Sequence, residues 1–201
     1  LCAGKENVAV IIGYEGKISI MINEEDQLRI QCIFPGLDLD GAWNLCNKLD
    51  NLIQEKIDFA YDKKLGYLTS CPTNVGTGLR ASVMLHLPCL SSTGYLKNIL
   101  EACGKLGIAV RGMYGEKSGA LGNMYQISNQ VTLGLSEEEI IKNINDIAIQ
   151  IIEQERNLQA ELYKKNAYKF EDRVFRALGT LTNARVLTSE ESFKLLSDLR
   201  Q

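Results

Sequence analysis

Three arginines of this sequence stand beside acidic or glycine-rich turns. Arg29 follows the acidic stretch Asn23–Asp26. Arg80 follows the turn Gly76–Gly78, and Arg111 ends a strand-like segment. A guanidinium group can bind two phosphate oxygens at once, through two parallel hydrogen bonds, and it stays charged at every relevant pH. Arginines that converge on one sheet face would form a polyphosphate-binding site, although a single arginine is more often a solvated or ion-paired side chain.

The glycines near Arg80 do not fit the two common nucleotide-binding motifs. Gly76, Gly78 and Ala81 have the spacing of a dinucleotide fingerprint, which requires a strand before it and a helix after it. Here a proline-containing turn precedes the glycines, and a strand-like segment follows them. The sequence also lacks the Gly-x-x-x-x-Gly-Lys-Ser/Thr pattern of a P-loop. We therefore predict neither a Rossmann domain nor a P-loop fold.

The composition is typical of a globular protein, with 45% hydrophobic and 23% charged residues among 201. The formal net charge of −3 provides no basic field for nucleic acid. No apolar run reaches the roughly 20 residues that a membrane span needs. Leu1 follows no cleavage site, so a secretory signal is not expected. The six cysteines form no C-x-x-C pair, so we expect reduced thiols in a cytoplasmic protein and no zinc site.

Hydrophobic periodicity predicts an antiparallel meander followed by alternating helices and strands. The predicted strands are Val8–Ile12, Lys17–Asn23, Gln27–Phe34, Leu79–Leu87, Gly107–Met113 and Asn123–Leu133. The predicted helices are Asp38–Lys63, Ser91–Lys105 and Glu137–Tyr163, the last preceded by a capping box of Ser136 and Glu139. The polar stretch Tyr114–Gly122 is predicted to be a mobile loop. We expect Trp43 and its apolar stripe to be core, and Arg29 to point away from the core face.

These elements predict an α+β fold, with a mainly antiparallel β-sheet flanked by α-helices and a helical C-terminal extension. We expect residues 1–158 to belong to one domain. Residues 159–201, which are more charged and rich in helix formers, are expected to begin a second, helical domain.

A long stretch around the glycine turn resembles the signature of the phosphagen kinases, the arginine and creatine kinase superfamily. From Cys71 to Val83 it reads CPTNVGTGLRASV. Residues 23–29 are similar to a second motif, with Gln27 where histidine is common, and residues 111–116, followed by 126–129, are similar to a third. The resemblance covers most of the chain. It implies the phosphagen kinase catalytic fold, which is of the glutamine-synthetase-like type.

Within that superfamily the sequence resembles the bacterial protein-arginine kinases. His86 falls after Met84 and Leu85, and the helical extension after about Leu158 has no counterpart in small-metabolite kinases. The superfamily places an arginine-rich nucleotide motif and further substrate contacts upstream of these 201 residues. The resemblance therefore implies a kinase that phosphorylates arginine side chains of proteins, while activity of this stretch by itself is not expected.

The resemblance implies ATP as the phosphoryl donor. Transfer of its γ-phosphoryl group to a guanidinium nitrogen depends mostly on positioning and charge neutralisation. Arg29, Arg80 and Arg111 would bind the phosphates. The other residues implied to contact the nucleotide are Ala81, Ser82, Val83, Met84, Gly112, Met113, Tyr114 and Gly115. Mg²⁺ would be held through the nucleotide phosphates and water, with no metal-binding residue of the protein.

The resemblance also implies catalytic roles for two carboxylates and a cysteine. A guanidinium acceptor is a cation that must lose a proton before it attacks, so it needs nearby anions. Glu25 is the candidate base, and Glu116 is the second carboxylate, carried by a loop that closes. Without the resemblance, the turn of Glu25 would be interpreted as a solvated surface turn. Cys71 would be a reactive thiol next to the acceptor, whereas His86 is expected to be structural.

Two other functions stay open from the sequence. A free-guanidine kinase would make a phosphagen by the same chemistry, and a non-catalytic regulatory module would bind nucleotide or phosphoarginine and recruit partners. The partners that the resemblance implies are protein substrates with exposed arginine, a small activator protein, a protease complex and a second copy in a homodimer. Neither nucleic acid nor a membrane is expected. We interpret residues 172–177 as the charged face of a helix rather than a phosphoarginine contact.

Overall fold

The computed structural model describes residues 6–113 and 120–201, except for the side chain of Tyr14. The strands are β1 (Ala9–Ile12), β2 (Ile18–Ile22), β3 (Leu28–Cys32), β4 (Tyr61–Asp62), β5 (Gly66–Tyr67), β6 (Ser82–His86), β7 (Ile108–Gly112) and β8 (Met124–Asn129). The helices are α1 (Leu39–Gln54), α2 (Pro88–Thr93), α3 (Leu96–Lys105), α4 (Glu137–Lys165), α5 (Ala167–Asn183) and α6 (Ser189–Leu199). The strands form antiparallel sheets in the orders β1-β2-β3, β4-β5 and β6-β8-β7. The predicted α+β class is therefore confirmed.

The described residues divide into two compact units. Unit 1 comprises those of Leu1–Ala81 and Gln130–Asn145, and unit 2 comprises those of Ser82–Asn129 and Asp146–Gln201. The first nine residues of α4 thus belong to unit 1 and the remainder to unit 2. The predicted domain division at residue 158 is a separate question and stays a prediction.

In unit 1, helix α1 packs against strand β3. The carboxylate of Asp38 caps this helix by accepting a hydrogen bond from the backbone N–H of Gly41 at 2.9 Å. We expected Trp43 and the apolar face of this helix to lie in the core. That expectation was wrong, because Trp43 is only half-buried and no residue of α1 is fully buried. The fully buried residue of this sheet is Met21. Met21 pairs with Arg29 across the two strands, so both side chains lie on the same face of the sheet. The face that carries Arg29 therefore also carries a buried residue and is not wholly exposed.

The first helix is shorter than predicted, because α1 ends at Gln54 and not near Lys63. The residues beyond it form the hairpin β4–β5. In that hairpin the ring of Tyr67 packs edge-on against the rings of Phe59 and Tyr61. Aromatic contacts of this kind stabilise the turn of the chain beyond the area they bury. Tertiary packing has therefore overridden the helical pattern of the local sequence.

In unit 2, the predicted helix Ser91–Lys105 is two helices. α2 begins earlier, at Pro88, and ends at Thr93. Gly94 follows with φ of +79°, the left-handed conformation that ends many helices, and α3 then starts at Leu96. Burial explains the early start, since α2 places its first three residues, Pro88, Cys89 and Leu90, in the core.

The long helix α4 begins as predicted, with a reciprocal capping box. The backbone N–H of Ser136 donates to Glu139 at 2.8 Å, and the backbone N–H of Glu139 donates to the Ser136 hydroxyl at 3.2 Å. Side-chain caps also begin α5, at Asn166, and α6, at Thr188. None of the helices in the described ranges combines the length and the apolar character needed to cross a membrane.

Candidate active site

The acidic turn between β2 and β3 surrounds one arginine with two carboxylates. Asn23 adopts φ of +56°, and its backbone N–H donates to the carbonyl of Gln27 at 3.0 Å, which closes the turn. Arg29 then reaches back to Glu24, at 2.9 Å, and to Glu25, at 3.8 Å. Glu24 therefore takes the close ion pair. Glu25 is the more exposed of the two carboxylates and is engaged less closely.

A hydrogen bond joins this turn to the segment that precedes Cys71. The carboxylate of Asp26 accepts it from the backbone N–H of Ser70, with a nitrogen–oxygen distance of 2.6 Å. The structure thus brings the turn of Glu25 and the segment of Cys71 together within unit 1. Asp26 was absent from the predicted site residues. Its only signal in the sequence was a third acidic residue in the turn, which did not indicate a partner.

Cys71 begins a short 3₁₀ turn at Pro72–Asn74. Its thiol lies 2.9 Å from the hydroxyl of Thr73, and its carbonyl accepts a hydrogen bond from the hydroxyl of Thr69 at 2.7 Å. The residue is half-buried. The thiol is thus partly accessible, on a backbone that hydrogen bonds on both sides hold in place.

The glycine turn that follows packs backbone against backbone. Gly76 exchanges hydrogen bonds with Tyr67, and its φ of +115° is open only to glycine without strain. A Cβ atom on Gly76 would lie 2.3 Å from the carbonyl oxygen of Thr132. The hydroxyl of Thr132 in turn lies within hydrogen-bond distance of the carbonyls of Thr73, at 2.9 Å, and Val75, at 2.8 Å. Thr132 therefore stabilises the turn through its hydroxyl group. The sequence analysis did not predict this role.

A cleft of unit 1 lies on the β4–β5 side of this turn. Its volume is about 620 Å³, and its lining includes Tyr67, Gly76, Thr77 and Thr132. Neither Glu25 nor Cys71 lines it. This cleft therefore does not contain these two predicted catalytic residues.

The predicted nucleotide-binding residues are divided between the two units. Arg29, Arg80 and Ala81 belong to unit 1, where Arg80 is exposed and Ala81 is buried. Ser82, Val83, Met84, Arg111, Gly112 and Met113 belong to unit 2.

In unit 2, three of these residues share one face of the sheet β6-β8-β7. Met84 pairs with Gln126, and Gln126 pairs with Arg111, so their side chains stand in a row across the three strands. Ser82 lies on the same face, two residues from Met84. Val83 points to the other face and is buried, so its side chain belongs to the core. Gln126 was not among the predicted site residues, although it follows the third motif.

The end of β7 is held to the start of β8. The backbone N–H of Met113 donates to the carbonyl of Met124 at 2.9 Å. A Cβ atom on Gly112 would lie 3.0 Å from Ala120, so the chain passes closely there. The remaining predicted site residues, Tyr114, Gly115 and Glu116, lie outside the described residues, as does most of the predicted loop.

Each unit contributes an exposed arginine to the predicted phosphate contacts. Arg80 and Arg111 present exposed guanidinium groups, which bind phosphate oxygens. In the parts of the chain that the structure describes, no three His, Cys, Asp or Glu side chains cluster in a way that could hold a metal ion. A cation required by the chemistry would be bound mainly by phosphate oxygens and water, as is common for Mg²⁺.

Family models match nearly the whole chain. Residues 2–158 match ATP:guanido phosphotransferase, C-terminal catalytic domain. Residues 167–201 match the Protein-arginine kinase McsB C-terminal domain.

Curated relatives are considerably longer than this chain. The protein-arginine kinase of Caldanaerobacter subterraneus subsp. tengcongensis is 60% identical over 190 residues, which are 94% of this chain and 56% of the relative. The protein-arginine kinase of Pelotomaculum thermopropionicum is 56% identical over 192 residues, which are 96% of this chain and 54% of the relative. The chain thus spans about half the length of the curated relatives it matches.

Solved structures of guanidino kinases have the same fold. A crystal structure of lombricine kinase superposes with a TM-score of 0.71 at 31% identity, over 79% of this chain and 44% of that one. The duplicated taurocyamine kinase of Schistosoma mansoni, with bound transition state analog components, gives a TM-score of 0.67 at 32% identity, over 79% of this chain and 22% of that one. The resemblance inferred from the three motifs is confirmed. The chain belongs to the ATP:guanido phosphotransferase family, and residues 2–158 lie in its C-terminal catalytic domain.

Proposed function

We propose that the full-length protein is a protein-arginine kinase, which transfers the γ-phosphoryl group of ATP to the guanidinium group of arginine side chains in proteins. One observation carries the chemistry: the turn of Glu25 and the segment of Cys71 are joined by the bond between Asp26 and Ser70. The choice of a protein acceptor rests on the match of residues 167–201 to the C-terminal domain of protein-arginine kinases.

In this proposal Glu25 is the base that removes a proton from the acceptor guanidinium. Its carboxylate is 3.8 Å from Arg29, whereas Glu24 makes the close pair at 2.9 Å. Glu25 therefore retains capacity to bind a second guanidinium group. Cys71 would contact the acceptor through a half-buried thiol, and Glu116 would supply a second carboxylate. A positioned base of this kind typically contributes about 10²–10⁴-fold to a rate.

Three arginines, Arg29, Arg80 and Arg111, bind the phosphates of ATP in this proposal. ATP supplies the phosphoryl group, and the guanidinium groups neutralise charge that develops during its transfer. Ser82 and Met84 support the site from the face that they share with Arg111. The other proposed contacts are Ala81, Val83, Gly112, Met113, Tyr114 and Gly115. Mg²⁺ is proposed to bind through the nucleotide phosphates.

The proposal extends to partners and location. Substrates would be proteins with exposed arginine, and an activator protein, a protease complex and a homodimer are proposed as further assemblies. A cytoplasmic location agrees with the free thiols of Cys32, Cys46, Cys71, Cys89 and Cys103.

The decisive experiment offers labelled ATP to the full-length protein together with free arginine, creatine and an arginine-rich protein. Products are analysed at neutral to basic pH, because P–N bonds are labile in acid. Label on the protein alone, lost on acid treatment, is the expected result. Label on a free guanidine would instead identify a phosphagen kinase, an alternative that the likeness to lombricine kinase favours. The absence of label from every acceptor would favour a regulatory module.

Variants of the full-length protein test the residue roles. Glu25→Gln is expected to abolish transfer while leaving ATP affinity nearly unchanged. Glu15→Gln is the matched control, because Glu15 pairs with Lys17 on the surface at another turn of the same sheet. Equal loss of transfer and ATP binding in Glu25→Gln would contradict the role as base. Arg80→Ala is expected to weaken ATP binding, and an unchanged affinity would remove Arg80 from the phosphate site.

A further inference from the structure

A serine of the last helix lies at the centre of a hydrogen-bond network in unit 2. The Oγ atom of Ser197 accepts a hydrogen bond from Nδ2 of Asn123 at 2.8 Å. The same atom lies 2.8 Å from Nε2 of His86. Ser197 is only 4% exposed. Loss of its hydroxyl would leave polar atoms of two other elements without this partner.

The protonation of His86 determines how the network is completed. Burial lowers the pKa of His86 and the positive charge of Arg200 lowers it further, while Glu155 opposes the shift, so the neutral ring is favoured near pH 7. A neutral imidazole nitrogen can accept a hydrogen bond. In the tautomer that carries its proton on Nδ1, Nε2 of His86 accepts from the Ser197 hydroxyl, while Ser197 accepts from Asn123. Each of the three side chains has a defined role in that arrangement.

The backbone around Asn123 fits closely against helix α6. Gly122 and Asn123 both have positive φ, of +60° and +56°. A Cβ atom on Gly122 would lie 2.9 Å from the carbonyl oxygen of Phe193 in α6. The carbonyl of Asn123 also accepts a hydrogen bond from the backbone N–H of Leu87 at 2.9 Å. Helix α6, the turn at 121–123 and the end of β6 are therefore joined at one place.

This place adjoins the segment that contains Arg111. Strand β8 is the middle strand of its sheet, and its first residue, Met124, pairs with His86. The carbonyl of Met124 accepts the hydrogen bond from the N–H of Met113. Ser197 is thus connected through Asn123 and Met124 to Met113, which directly follows β7 and lies two residues beyond Arg111.

We propose that Ser197 is a positioning residue for nucleotide binding. Through Asn123 and His86, it holds the start of β8, and with it the segment Arg111–Met113, in the geometry that binds phosphate. Ser197 lies among the residues that match the protein-arginine kinase C-terminal domain, whereas the others lie in the catalytic-domain match. The C-terminal helix thereby becomes part of the structure that supports the nucleotide site. The inference rests on the proposed function for the role of Arg111.

The test compares three variants of the full-length protein. Ser197→Ala removes the hydroxyl, and Asn123→Asp replaces the amide donor with a negatively charged acceptor of nearly the same shape, which tolerates positive φ. Ser192→Ala is the matched control in the same helix, since its hydroxyl donates to the carbonyl of Thr188 at the start of that helix. The dissociation constant for ATP, amide hydrogen exchange at Met113 and the thermal midpoint are measured for each.

Ser197→Ala and Asn123→Asp are expected to raise the dissociation constant for ATP by about 3- to 10-fold, the effect of one lost hydrogen bond. Exchange at the Met113 amide should accelerate in both variants, while Ser192→Ala changes neither quantity. A lowered thermal midpoint with unchanged ATP affinity and unchanged exchange at Met113 would reduce Ser197 to a structural residue and overturn the inference. If Ser197→Ala does not fold, the result for Asn123→Asp decides.

These measurements need no phosphoryl acceptor, so they are independent of the transfer assay. Failure of transfer to proteins, with ATP affinity still sensitive to Ser197, would contradict the proposed function and leave the inference standing. Normal transfer to proteins, with an ATP affinity that neither Ser197→Ala nor Asn123→Asp changes, would support the proposed function and overturn the inference.

Discussion

Asp26 and Ser70 are 44 residues apart in the sequence, yet the carboxylate of Asp26 accepts a hydrogen bond from the backbone N–H of Ser70 at 2.6 Å. Glu25 precedes the acceptor, and Cys71 follows the donor. The bond therefore joins the residue after Glu25 to the residue before Cys71, within unit 1. The acceptor is a side chain, whereas the donor is a backbone N–H. A substitution at position 26 therefore removes the bond and leaves the sequence of the segment before Cys71 unchanged.

Asp26→Ala is expected to lower kcat by roughly 10- to 100-fold, because small misplacement of reacting groups has effects of that size. ATP affinity should change little, since Asp26 is not a proposed phosphate contact. Steady-state kinetics of the full-length protein separate the two quantities. Asp40→Ala, at an exposed position in the first turn of α1, should leave kcat unchanged. A normal kcat for Asp26→Ala would show that the bond does not position the reacting groups.

Gly76→Ala should destabilise the glycine turn. The φ of +115° strains any residue with a Cβ atom, and that atom would lie 2.3 Å from the Thr132 carbonyl oxygen. We expect the free energy of unfolding, measured by urea denaturation, to fall by about 1–3 kcal/mol. We also expect ATP binding to become weaker. Gly179→Ala is the control, because α5 offers open space there and alanine favours a helix by up to about 1 kcal/mol. Equal stability of the two variants would contradict the strain and close packing inferred at Gly76.

Glu155→Gln should destabilise unit 2. The buried carboxylate of Glu155 accepts hydrogen bonds from the backbone N–H groups of Cys89, at 2.7 Å, and Leu90, at 2.9 Å, at the start of α2. Glutamine offers one oxygen for two donors, so the expected loss is about 1–3 kcal/mol. Thermal and urea denaturation would measure it. Glu153→Gln, at an exposed position on α4, should be nearly neutral, and a similar loss there would argue for a general effect of charge.

Stability should fall as the pH is lowered through the titration of His86. The folded state lowers the pKa of His86 below its ordinary 6.5, by burial first and by Arg200 second, while Glu155 opposes the shift. The unfolded chain therefore binds more protons over that interval, and the contribution of His86 is complete above pH 6.5 and is lost below it. Because the sequence has one histidine, His86→Gln should flatten the pH dependence of unfolding just below that value. An unchanged slope would exclude His86 as its source.

Thiol reactivity should distinguish the cysteines. Burial raises the pKa of both Cys46 and Cys89 to about 12, with further contributions from Cys32 and Glu155 respectively. The thiolate is the reactive form, so both residues should resist iodoacetamide near pH 8 in the folded protein and react after unfolding in urea. Mass spectrometry of peptides would measure the labelling of each residue. Early labelling of either cysteine in the folded protein would contradict the burial argument.

Local and contiguous features were predictable from the sequence. The capping box of Ser136 and Glu139 and the strands of the meander depend on spacings of a few residues, and the structure contains them. The break at Gly94 was missed because a lone glycine is tolerated within a helical pattern. The end of α1 was missed because the hairpin that replaces its last turns is stabilised by packing around Tyr67, which no periodicity indicates.

By itself, the sequence determined the family and the α+β class, because its motifs are contiguous and its hydrophobic period sets the type of each element. Only the tertiary structure decided which distant groups meet. Asp26 meets Ser70 across 44 residues, Thr132 meets Thr73 across 59, and Ser197 meets His86 across 111. In each pair, nothing in the neighbouring sequence of one residue indicates the other as its hydrogen-bond partner. Such pairs form only when packing brings the two segments together, so no spacing in the chain could have indicated them.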